Sequence, residues 1–180
     1  MEEKDIVSSL THYGDEHLLL EYDRGDLMFY DLPAGSKESD EGSLDGMLRE
    51  FDEETGLELN DIESITALRP YTYCREDTTY RVYPFDIELS DKKSPESLDS
   101  QEHDGYRWVN SEGLRRAGLE GWLSPPKFFN ASYVKAGMNG QSELRGQENY
   151  EKQVFRHEEI NDNVDDLEAL IDSKLMDSQV

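Results

Sequence analysis

Between Gly35 and Leu57 the chain reads GSKESDEGSLDGMLREFDEETGL, and no other stretch restricts the fold as much. Its periodicity predicts a short helix over Leu44–Thr55. Ser43 is the expected N-cap, Asp45 lies in the first turn, and Gly56 stands where a left-handed residue would stop the helix. Leu44, Met47, Leu48 and Phe51 recur at steps of three and four, so they form one apolar stripe for the core. Glu50, Glu53 and Glu54 stand at i, i+3 and i+4 and share a neighbouring face. Arg49 precedes Glu53 by one turn and can pair with it or reach back toward Glu41.

Carboxylates gathered within one turn repel each other. A solvated surface does not need them so close, whereas a hard divalent cation does. All-oxygen ligands that leave positions for water and phosphate suit Mg²⁺, with Mn²⁺ as a substitute. A cation held this way draws in a pyrophosphate, offsets charge on its bridging oxygen and acidifies a bound water. For the three glutamates alone, an acidic exposed helix face is the competing reading. Gly35, Glu41, Arg49 and Gly56, all in register with them, favour the metal site.

As a set of constraints, the stretch is Gly35, five free positions, Glu41, seven free positions, then Arg49-Glu50-Phe51-Asp52-Glu53-Glu54-Thr55-Gly56-Leu57. This resembles, without a mismatch, the signature of the Nudix hydrolases. At average residue usage such a pattern recurs by chance in fewer than roughly one window in ten million. The resemblance implies that Glu50, Glu53 and Glu54 are metal ligands and that the Gly35 carbonyl is a main-chain ligand. It gives Arg49 the task of holding the glutamates and Glu41 a structural place in the loop. Many members of the family recruit a further glutamate from the loop before a late strand, as an extra ligand or general base. Glu102, six residues before Trp108, is the candidate, with Glu96 and Asp104 as rivals. His103 is expected to be a solvent-exposed loop residue.

Along the chain, Ile6–Tyr13 and His17–Tyr22 read as a hairpin around Gly14-Asp15, followed by a turn and a strand over Leu27–Asp31. Ile62–Leu68 and Tyr80–Leu89 alternate as strands, separated by Pro70 and a polar tip over Arg75–Thr79. Ser90–Ser100 is a polar loop, Tyr106–Val109 a short strand and Ser111–Ala117 a short helix. The order is α/β and fits the Nudix fold, an α/β/α sandwich around a mixed sheet. The expected division is a Nudix domain over 1–120 and a C-terminal extension over 121–180. Within the extension, Asn163–Leu175 reads as an amphipathic helix, packed on the same domain or on a twin subunit of a homodimer. Trp122, Phe128, Phe129 and Tyr133 are expected in a core or dimer contact, with stacking on a base as the alternative.

A chain of 180 residues suffices for one domain with a core. No apolar run approaches a membrane span, the N-terminus lacks the regions of a signal peptide, and Cys74 is the only cysteine. A cytoplasmic protein without membrane contact is expected. The net charge is −24, from 24 acidic and 7 basic residues in 1–90 and 18 and 11 in 91–180. An excess spread over the whole chain resembles the proteins of salt-in halophiles, the alternative being an ordinary acidic protein. No Lys/Arg cluster exists to neutralise a nucleic-acid backbone, so nucleic acid is disfavoured as a partner.

The expected activity is therefore Mg²⁺-dependent hydrolysis of a phosphoanhydride in a small nucleotide, with Glu53 or Glu102 taking the proton of the attacking water. Leu32-Pro33-Ala34-Gly35 before the box, with Pro70 thirteen positions after Leu57, resembles the branch typified by ADP-ribose pyrophosphatases. That implies a nucleoside diphosphate linked to a sugar or similar group. Nucleoside triphosphates and dinucleoside polyphosphates are the alternative substrates, and a non-catalytic nucleotide sensor is the alternative class.

Overall fold

Strand β1 (Glu2–Tyr13) runs through the middle of the sheet, and its residues from Ile6 to Thr11 are all buried. A strand covered on both faces reads as apolar and small throughout, with no polar alternation. The computed structural model describes residues 2–23, 28–95, 98, 103–119 and 153–156. Glu96, Glu102, the aromatics between Trp122 and Tyr133, and the expected helix Asn163–Leu175 lie outside them.

β1 turns through Gly14-Asp15 into β2 (Glu16–Asp23), with His12 opposite His17 and Gly14 at a φ of +56°. This is the expected hairpin, and a residue without a Cβ takes the left-handed corner. β2 pairs antiparallel with β3 (Met28–Asp31), and β4 (Ala34–Ser36) pairs antiparallel with Ile6–Ser8 of β1. Helix α1 (Ser43–Thr55) follows. Beyond it come β5 (Ile62–Ala67), β6 (Tyr71–Arg75) and β7 (Thr78–Leu89), then β8 (Gly105–Asn110) and helix α2 (Ser111–Leu119). β9 (Gln153–Arg156) closes the described chain.

Among the described residues these strands form one sheet in the order β3-β2-β1-β7-β5-β9, with β4 on β1, β6 on β7 and β8 on β2. The β1–β7 pair is parallel and every other pair is antiparallel, so the sheet is mixed. β6 differs from expectation, because the segment read as a spacer after Pro70 is itself a strand returning on β7. β9 is a second difference. It lies within 121–180, where no strand is expected from the sequence, and it pairs with β5 of the main sheet.

Adjacent residues of a strand point to opposite faces, and Leu18 and Leu19 separate the two layers accordingly. Leu18 joins Val7, Phe85, Ile87 and Ile65 in a core closed by Leu44, Met47 and Phe51 of α1. Leu19 joins Leu10 and Leu32 in a second core closed by Leu114 of α2. The two helices therefore cover opposite faces of the sheet, which is the expected sandwich. Leu44, Met47 and Phe51 are fully buried, and burying each large apolar side chain is worth roughly 1.5–3 kcal/mol. Leu48 packs at the margin of the first core.

The helix boundary needs one correction. Gly42, not Ser43, is the N-cap, and no side chain caps the helix there. The Gly42 carbonyl already accepts the N–H of Gly46 at 3.0 Å, and Ser43 is buried as the first helical residue. At the other end Gly56 takes a φ of +66° and donates to the Asp52 carbonyl at 2.7 Å, as expected of a left-handed stop.

Candidate active site

The loop from Leu32 to Gly42 is anchored on β1 at its start, where Ala34 and Gly35 lie against Glu54 and Glu50 of the later turns of α1. Pro33 accepts the N–H of Ser9 at 2.8 Å, and β4 sets Gly35 opposite Val7. The loop's backbone thus lies directly against the glutamate face of the helix. A Cβ built on Gly35 would meet Glu50 Oε2 at 1.9 Å. Only glycine permits that approach, which explains the residue at this position on steric grounds.

Arg49 organises the carboxylates. Its Nη2 donates to Glu41 Oε1 at 2.6 Å and its Nε to Glu41 Oε2 at 3.1 Å, a two-pronged contact that a guanidinium fits. Nη1 donates to Glu50 Oε1 at 2.8 Å and to Glu53 Oε2 at 3.2 Å, and Nη2 also reaches the Ser36 carbonyl at 3.0 Å. Sequence left two partners open for Arg49, Glu53 or Glu41, and it holds both. Glu41 in turn accepts the N–H of Glu38 at 2.7 Å, so the loop is tied to the helix through one carboxylate.

The three helix glutamates differ in setting. Glu53 is the outermost, its side chain 59% exposed. Glu50 is half-buried, and burial pushes its carboxyl above the usual range while Arg49 opposes the shift. Glu54 is 5% exposed, and burial raises its pKa too, against the pull of His103. Glu41 moves the other way, held low by the Arg49 guanidinium, which is itself raised by the same contact. Among the described residues no three His, Cys, Asp or Glu side chains stand already gathered around one point. Glu53 turns outward toward Arg49, while Glu54 turns inward.

What receives Glu54 was missed in the sequence. Its Oε2 accepts the Ala34 N–H at 2.7 Å, and its Oε1 meets His103 Nε2 at 3.1 Å. His103, expected in solvent, is 3% exposed and lies edge-on to the Tyr22 ring at 4.6 Å. The correction has a topological cause. His103 sits immediately before β8, and β8 pairs with β2, which carries the preceding loop back over the end of α1. Nothing local marks a partner 49 residues away. Asp104, one of the candidate distal acids, is exposed, and its N–H donates to the Glu21 carbonyl at 2.8 Å.

The residues fit a hard divalent cation. Glu50, Glu54 and the backbone of Gly35 approach within one small region, Glu53 stands beside them, and all offer oxygen.

The sequence matches the family model of the NUDIX domain over residues 11–129. No curated protein sequence matches the chain. Among solved structures, a NUDIX hydrolase from Nitrosomonas europaea superposes with a TM-score of 0.60 at 19% identity, covering 83% of this chain and 98% of that one. The E. coli ORF135 protein gives 0.59 at 17% identity, covering 84% and 96%. A MutT protein from Methanosarcina mazei Go1 gives 0.58 at 22% identity, covering 79% and 97%. At such identities the likeness is one of fold.

Proposed function

The chain belongs to the Nudix family of phosphoanhydride hydrolases, and from that premise we propose that it cleaves a nucleoside diphosphate linked to a sugar or similar group. The observation that carries the reading is the meeting of Gly35 with Glu50, where the carboxylate occupies the space of a missing Cβ while Arg49 ties Glu50, Glu53 and Glu41 together. Leu32-Pro33-Ala34-Gly35 and Pro70 support the substrate class.

Mg²⁺, held by the Gly35 carbonyl with Glu50, Glu53 and Glu54, would offset charge on the bridging oxygen and acidify water. The remaining work falls to the chain's own groups. Arg49 ties Glu50 and Glu53 to Glu41, which limits how far the two carboxylates can swing. Water attacks one phosphorus, its oxygen forming the new P–O bond as the bridging P–O bond breaks. Glu53, exposed enough to meet that water, takes its proton, with Glu102 the alternative acceptor. The products are a nucleoside monophosphate and the phosphorylated second group.

A panel of ADP-ribose, sugar nucleotides, nucleoside triphosphates and dinucleoside polyphosphates with Mg²⁺ tests the reading through released monophosphate. It is run in molar KCl because a chain of charge −24 can unfold in dilute buffer. Sugar-linked diphosphates should turn over fastest. Faster cleavage of triphosphates or dinucleoside polyphosphates replaces the substrate class, and tight binding without turnover makes the protein a sensor.

A further inference from the structure

Glu54 is held at both oxygens, and the two donors come from different parts of the fold. Ala34 N–H on β4 takes Oε2 at 2.7 Å, and His103 in front of β8 takes Oε1 at 3.1 Å. Glu54 itself stands on α1, so one buried carboxylate joins three elements around the Gly35 loop. The placement of His103 does not depend on that contact. Asp104 N–H donates to the Glu21 carbonyl at 2.8 Å, and Gly105 sits opposite Glu21 so closely that a Cβ there would meet Glu21 Oε2 at 2.9 Å. The sheet thus delivers the imidazole, and Tyr22 closes over its edge.

The direction of the bond follows from chemistry. An ionised carboxylate only accepts, so the ring must donate from Nε2. His103 Nδ1 is buried and has no hydrogen-bond partner among the described residues. Glu54 is therefore the one polar partner found for the ring among those residues, and a buried carboxylate left without this donor would lose half of what fixes it.

We propose that His103 is a positioning residue that holds Glu54 for the divalent cation, through a hydrogen bond from Nε2 to Oε1. The inference rests on Glu54 belonging to the metal site described above. Partners of this kind, which orient a ligand and do not touch the metal, change affinity or turnover by about 10- to 100-fold when removed. The histidine thus serves the loop in a different way from the glutamate sought there. It reaches the site without facing the substrate.

The test compares His103→Leu, which keeps volume and removes the donor, with His103→Gln, whose amide can donate from nearly the same place. Mn²⁺ affinity is read from free ion by electron paramagnetic resonance, alongside kcat and KM in molar KCl. His103→Leu should weaken Mn²⁺ binding and lower kcat by about 10- to 100-fold, leaving KM for the nucleotide within about twofold. His103→Gln should recover most of both. Wild-type Mn²⁺ affinity and turnover in His103→Leu overturns the proposal, and so does a loss in His103→Gln as deep as in His103→Leu. If His103→Leu does not fold, long-range ¹⁵N–¹H correlations on the wild-type chain decide. A proton on Nε2 is expected, and a neutral ring protonated only at Nδ1 overturns the bond. Expected Mn²⁺ ratios in a chain that cleaves no nucleotide count against the substrate reading and still support the role of His103.

Discussion

Arg49 donates to Glu41, Glu50, Glu53 and the Ser36 carbonyl, and this one side chain fixes the relative positions of a loop and a helix face. The arrangement leaves little slack at Gly35. In Gly35→Ala the new methyl would stand 1.9 Å from Glu50 Oε2, so the carboxylate must swing away or β4 must lift. Misplacing a reacting group by about 1 Å costs on the order of 100-fold in rate. Turnover of Gly35→Ala should fall by that order, with an unfolding temperature near wild type because β4 is short and at the margin of the core. Near-normal turnover would show that the close approach is not required for chemistry. Glu53→Gln separates the two proton acceptors. Its side chain is mostly exposed, so the fold should be unaffected while kcat falls by about 100- to 10,000-fold. If instead Glu102→Gln shows that loss and Glu53→Gln does not, the base lies in the loop before β8.

At the scale of elements, the face of the sheet turned away from the glutamates carries its own polar group. His12 on β1 and His17 on β2 have ring centroids 5.7 Å apart. His12 bonds Asp86 of β7 at 3.3 Å, and His17 lies 3.4 Å from Ser111, the first residue of α2, whose hydroxyl also donates to Asp15. Burial holds His17 down to about 4, with His12 adding to the shift and Asp86 and Asp15 opposing it. Burial pulls His12 down, but Asp86, the Gly14 carbonyl and Glu88 together leave it raised. The two therefore act in opposite senses. His17 stabilises the fold above its ordinary pKa of 6.5, and that contribution is lost as pH falls toward 4, since the unfolded chain binds the proton that the native one refuses. His12 stabilises below its ordinary value and loses that effect as pH rises through its raised one. Urea midpoints should show the wild type losing on the order of 2 kcal/mol relative to His17→Gln between pH 6.5 and 4.5. A constant difference between the two proteins would rule out the histidine as the source.

Helix α1 and its C-terminal stop were legible because every signal there is local. The stripe through Leu44, Met47 and Phe51, the αL glycine and the arginine all fall within one window of sequence. The hairpin at Gly14-Asp15 is local in the same way. β6 was missed because Tyr71–Arg75 is a short strand beside a proline, recognisable chiefly by the partner it folds back on. β9 has four residues, too few to show a pattern of their own, and it exists as a strand through its pairing with β5. His103 fails for the same reason on the scale of a side chain. Among the described residues, what sequence hid is what register across the sheet creates.

For the whole molecule, charge is the property that sets the working conditions. With 42 acidic and 18 basic residues, even complete one-to-one pairing would leave 24 carboxylates uncompensated. Several described ion pairs are solvent-facing at both ends, such as Lys92 with Glu16 and Arg156 with Glu63, and each of these contributes little. Self-repulsion must then be met by solvent ions. The screening length falls from about 10 Å at 0.1 M to about 3 Å at 1 M, shorter than most separations between surface carboxylates. The unfolding temperature should therefore rise by about 5–10 °C between 0.05 and 1 M KCl, which corresponds to a gain of a few kcal/mol for a chain of this size. Beyond 1 M little repulsion remains to screen, so a screening mechanism predicts a plateau. A further climb into 3 M KCl would instead assign the gain to stronger burial of apolar groups in concentrated salt. A flat profile from the start would mean that the acidic surface imposes no burden, and the resemblance to salt-adapted proteins would then rest on composition without consequence for the fold.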